Sequence, residues 1–129
     1  MSNPETQIQN QILLALSQKY HTKGGVFWRQ NAGRIRSHTG AWVQLGPVGI
    51  SDIVGVVCGI AFFFEVKTSK GRQRKEQAAF EKAITKAGGV YAVVRSVEEA
   101  IQVVENHIKV QSCLQSSQAN KHVSSSSKS

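Results

Sequence analysis

The chain has 129 residues, 40% of them hydrophobic, with 16 Lys and Arg against 8 Asp and Glu, a formal net charge of +8. That length suits one domain with a core of its own, and no apolar run nears the roughly 20 residues a membrane helix needs. The excess of positive charge favours a polyanionic partner, nucleic acid first, although a basic protein that is merely soluble has the same totals. The polar start MSNPETQIQNQ lacks the layout of a secretory signal, and Cys58 and Cys113 allow at most one bridge, so a reduced, cytoplasmic, non-secreted protein is expected.

Asn3-Pro4-Glu5 reads as a helix start, and Ile8, Ile12, Ala15 and Leu16 recur at helical spacing, which predicts a helix to about Lys19. GGVFWRQN (24–31) is a short strand after a glycine turn. Residues 32–49 form a long glycine-punctuated loop with one strand expected at 41–44; loops of that length in a compact domain tend to be functional. Two apolar strands follow, 50–57 and 60–68, joined by Cys58-Gly59 in a two-residue hairpin turn. A helix is predicted over 72–87, with Phe80, Ala83, Ile84 and Ala87 inward and Gly88-Gly89 as its stop. VYAVVR (90–95) has the continuous apolar character of a strand covered on both faces, parallel to the second hairpin strand through a right-handed crossover. Ser96 and Glu99 cap a last helix over about 97–109, and the serine-rich residues 111–129 read as a flexible tail after a domain spanning 1–110. The fold class expected is α/β, a mixed sheet with helices on both faces.

The hairpin brings the acids together. With Cys58-Gly59 as the turn, Asp52, the only aspartate of the chain, lies directly opposite Glu65, with Cβ atoms about 4.5–5.5 Å apart. Lys67 shares their face because side chains alternate along a strand. Two carboxylates that close need a proton or a cation between them, and hard oxygen donors of this kind suit Mg²⁺ or Mn²⁺. Arg29, Arg34 and Arg36, and then Lys70, Arg72 and Arg74, cluster near the acids in sequence and are candidate phosphate contacts.

GPVGISDIVGVV, FFFEVKTSKGRQRKEQAAF and AGGVYAVVRSVEEA, together with WRQNAG and Glu5, occur in an order and spacing that resembles the virus-type replication-repair nuclease (VRR-NUC) family of the PD-(D/E)XK nucleases. The match covers roughly residues 5 to 105; Ser51 stands where the superfamily name has its proline, as is usual for this branch. The resemblance implies a restriction-endonuclease-like α-β-β-β-α-β core and metal-dependent hydrolysis of DNA phosphodiesters. Asp52 and Glu65 would bind Mg²⁺, with Mn²⁺ as substitute, helped by the carbonyl of Val66. Lys67 would orient or deprotonate the attacking water. Glu5 is a candidate further ligand, and Gln77, on the inward stripe of its helix with Phe80 and Ile84, would stand beside the active site.

By the same resemblance the expected enzyme is an endonuclease selective for branched DNA such as four-way junctions, acting as a homodimer in a bacterial or phage-infected cell. The alternatives are a nuclease of nicking, flap or restriction type, one acting on RNA, or a basic DNA-binding module that does not cut.

Overall fold

In the computed structural model, residues 3–30, 33–47, 49–69 and 71–109 are described. Helix α1, Pro4–Tyr20, begins where the Asn3 side chain accepts from the N–H of Thr6 at 2.8 Å and Pro4, lacking an N–H, fills the first turn. It buries Ile12, Leu16 and Tyr20, one residue beyond the predicted end. Strand β1, Val26–Arg29, follows after a short 3-10 turn, and later come β4, Ile53–Val57, and β5, Ile60–Val66. Between β1 and β4 lies a separate two-stranded antiparallel sheet, β2 Gly33–Arg36 with β3 Trp42–Leu45. The strand expected at 41–44 is therefore β3, and within the predicted loop residues 33–45 form a hairpin. Its strands are short and mostly exposed, so β2 lacks the burial periodicity by which a strand is recognised in sequence.

The main sheet has the order β1-β4-β5-β6, where β6 is Val90–Val94. The first three strands are antiparallel, and β6 runs parallel to β5. Val57 pairs with Ile60 and Ile53 with Phe64, the register that a Cys58-Gly59 turn demands. Both turn residues have positive φ, 52° at Cys58 and 79° at Gly59, as a type I′ connection requires.

The sheet alternates cleanly. One side of β5 presents Phe62, Phe64 and Val66 to Ile12 and Leu16 of α1 and to Ala100, Val104 and Ile108 of a last helix, α3, spanning described residues 97–109. Ser96 Oγ accepts from the Glu99 N–H at the start of α3, as its sequence predicts. The other side is met by α2, Lys75–Lys86, whose Phe80 packs edge-on against Phe63 and Tyr91. Helix α2 is shorter than predicted: Arg74 is the cap, and residues 71–74 precede it outside the helix. Ala83 and Ala87 are exposed where the spacing predicts an inward stripe; Gln77, Phe80, Glu81 and Ile84 are the half-buried residues of α2. With the β2–β3 hairpin as an insertion, the element order is the expected α-β-β-β-α-β followed by a helix. No helix among the described residues is long and apolar enough to cross a membrane. The predicted tail, 111–129, and Lys70 lie outside the described residues.

Candidate active site

The α2 side of the sheet holds the acids. Glu65 points there because its neighbours Phe64 and Val66 fill the core on the opposite side. The side chain is buried, only 2% exposed. Its Oε1 accepts from Gln77 Nε2 at 2.6 Å and stands 3.4 Å from the Lys67 ammonium. Its Oε2 is buried with no hydrogen-bond partner. Asp52 immediately precedes Ile53, which pairs with Phe64, so extending that register by one residue sets it opposite Glu65. Its Oδ2 accepts from the Val66 N–H at 2.8 Å, and its carbonyl accepts from the Gln30 N–H at 2.8 Å.

The surroundings hold these groups in place. Gln77 uses both ends of its amide: Nε2 on Glu65, and Oε1 on the N–H of Arg74, which closes the first turn of α2. The approach to Asp52 runs hard against the same turn. A Cβ on Gly49 would lie 2.2 Å from the Glu76 carbonyl oxygen, and φ there is +80°, so only glycine lets the two segments meet. Ser51, wholly buried, donates to the Ile53 carbonyl at 3.4 Å. Lys67 is 7% exposed, and Gly71 packs on its aliphatic stem.

The Glu65 carboxyl is pushed up to about 7, by burial first and by the nearby Asp52 second, with Lys67 opposing both. The pair thus asks for positive charge beyond the single ammonium. The orphaned Oε2 beside a second carboxylate fits a hard divalent cation, which takes oxygen donors and tolerates one or two carboxylates from the protein. Glu5 is half-buried in the first turn of α1, and no group of three or more His, Cys, Asp or Glu side chains that could hold a metal ion is found among the described residues.

The basic residues divide. Arg29 shares the sheet side of Phe27 and hydrogen-bonds Asn10 of α1, which turns it away from the acids. Arg34 and Arg36 are exposed on the hairpin, and Arg72 and Arg74 are exposed between Lys67 and α2. Two residues not singled out in the sequence also belong here. The Tyr91 hydroxyl is buried and raised to about 12, burial being the first cause, with Gln73 opposing and Glu65, Glu81 and Asp52 contributing to the rise. Alternation along β6 puts Tyr91 on the Glu65 side, a signal the apolar run VYAVVR conceals. Arg95 donates from Nη1 to the carbonyls of Thr68 and Gly71, tying down the segment after Lys67.

A scan of protein-family models and a search of curated proteins found no match. A search of solved structures returned a chain titled "VRR_NUC domain", 17% identical, with a TM-score of 0.52, covering 75% of this chain and 94% of that one. This chain has the VRR_NUC fold. Within the VRR_NUC fold the two acids stand at the end of the β4–β5 hairpin, where α2 begins.

Proposed function

We propose that this protein is a divalent-metal-dependent endodeoxyribonuclease of the VRR-NUC type. The observation that carries the reading is the buried, unpartnered Oε2 of Glu65, set beside Asp52 with the Lys67 ammonium on the neighbouring oxygen. Asp52, Glu65 and the carbonyl of Val66 would hold Mg²⁺, or Mn²⁺ in its place. Such an ion makes water nucleophilic near neutral pH and stabilises negative charge at phosphorus.

The chain's own residues do the rest. The Val66 N–H aims the Asp52 carboxylate, and Gln77 aims Glu65, so neither donor has to be ordered when the ion arrives. Lys67 orients the attacking water and offsets the charge that grows on the phosphate as the P–O bond breaks. Arg34, Arg36, Arg72 and Arg74 hold the DNA backbone. The reading extends to branched DNA, cut by a homodimer; exposed Val26, Trp28 and Val56 offer an apolar surface for a second copy.

The test presents linear duplex, single-stranded, flap and four-way-junction DNA, and an RNA, to the wild-type protein with Mg²⁺, Mn²⁺ or EDTA. Glu65→Ala and Lys67→Ala run alongside. Cleavage should require the metal and fall at least about a hundredfold in both variants. Cleavage that survives EDTA or Glu65→Ala sinks the catalytic assignment, and salt-sensitive binding with no cleavage of any substrate makes the protein a binding module. Symmetric nicks confined to the junction, together with a dimer mass by light scattering, support the resolvase-like extension. Equal cutting of linear duplex removes it.

A further inference from the structure

The β2–β3 hairpin is the largest feature that the acid site leaves unexplained. Arg34 pairs across it with Gln44, and Arg36 with Trp42, so these four side chains share one face, while Ile35 and Val43 share the other. The Arg36 guanidinium lies 5.0 Å from the Trp42 ring centre and that of Arg34 6.0 Å, yet the tryptophan remains 59% exposed. The turn is closed by hydrogen bonds of Ser37 with Ala41, Thr39 and Gly40, which gives the hairpin a defined tip. Its neighbours in the chain meet the segment of Asp52: Gln30, three residues before β2, donates its N–H to the Asp52 carbonyl, and Gly46, just after β3, packs on Ile50, two residues before Asp52.

We propose that this hairpin is a single-strand-gripping arm, in which Trp42 stacks on an unpaired base and Arg34 and Arg36 contact the flanking phosphates. The two arginines neutralise backbone charge on any nucleic acid. The tryptophan discriminates. An exposed indole gains from a base whose face is free, whereas in a duplex each base face is already covered by its neighbour. A rigid aromatic held by two cations is a stacking platform that needs little ordering on binding. Rooted at Asp52, the arm would favour DNA with a frayed or single-stranded segment next to the bond presented to the acids. The inference shares with the proposed function the premise that the ligand is DNA. It does not depend on hydrolysis.

Binding is measured in EDTA, so that no probe is cut, by fluorescence anisotropy. The probes are an oligothymidylate of about 15 nucleotides, a blunt duplex, and that duplex with a single-stranded tail. Trp42→Ala should weaken binding to the oligothymidylate and the tailed duplex by about tenfold and to the blunt duplex by less than about twofold; Trp42→Phe should restore most of the loss. Because Trp42→Ala could loosen the hairpin, a second measurement leaves that residue intact. In Trp28→Phe, Trp42 is the sole tryptophan, and its fluorescence should be quenched on saturation with oligothymidylate. Equal weakening of all three probes by Trp42→Ala, or no quenching in Trp28→Phe, overturns the proposal. A quenched Trp42 in a protein that cuts nothing with Mg²⁺ or Mn²⁺ would keep the arm and remove the nuclease.

Discussion

At Glu65 the fold sets a carboxylate where its charge is hardest to bear. The rise from 4.5 to about 7 has burial as its main cause and Asp52 as its second. A folded chain that binds this proton more tightly than the unfolded chain is stabilised by it. That contribution is fully present below pH 4.5 and is lost as pH rises through about 7. Between pH 5 and 8 the metal-free protein should lose on the order of 2 kcal/mol from this source. Glu65→Gln keeps the shape and the bond partner but removes the charge, so it should flatten that part of the pH dependence and leave the protein at least as stable as wild type at pH 8. Urea denaturation in EDTA at both pH values reads the difference between the two proteins, which cancels the histidines. Added Mg²⁺ at pH 8 should raise the midpoint of the wild type alone. An equal pH dependence in Glu65→Gln would show that the buried carboxyl does not govern it.

At the scale of elements, much of the site was legible because turn chemistry and alternation are rigid rules. Cys58-Gly59 admits one register, and that register places Asp52 across from Glu65 and Lys67 beside it. The stripe of Gln77, Phe80 and Ile84 likewise put the amide on the sheet, where it meets Glu65. Of the β2–β3 hairpin only the second strand was legible, expected at 41–44 and found at Trp42–Leu45; β2 and the pairing were not, since strands that bury so little carry no core pattern and their glycines resemble those of a loop. The direction of Arg29 follows from the phase of β1, set by the burial of Phe27, which the motif WRQNAG alone does not reveal. The Arg95 tie was hidden for another reason: it joins the end of β6 to carbonyls 24 and 27 residues away. Arg95 is a positioning residue, holding the Thr68–Gly71 turn against Lys67. Arg95→Ala should speed amide exchange over 68–74 by about 10–100-fold, the worth of hydrogen bonds from a charged donor, and leave the β4–β5 pairing unchanged. Exchange that stays at the wild-type rate in that segment would show that the turn holds itself.

Over the whole molecule, the charge of +8 is a sum of residues with different tasks, and salt dependence can separate them. Each phosphate contact releases condensed counterions, so the slope of log affinity against log salt counts the cations engaged, about 0.9 per contact on duplex DNA. Arg34, Arg36, Arg72 and Arg74 are exposed near the acids or on the arm rooted there. If these four engage, the slope should lie near −4, and the double change of Arg34 and Arg36 to Gln should flatten it by about 2. Arg29 is the internal control. It is as basic as the others and close to them in sequence, but its bond to Asn10 holds it against α1, on the far side of the sheet from Glu65. Arg29→Gln should therefore leave the slope within about 0.3 of wild type, because counterion release follows where a cation points and not how many the chain contains. A slope flattened by Arg29→Gln as much as by Arg36→Gln would mean that DNA wraps onto the α1 side, and that the acid face is not the only surface the duplex meets.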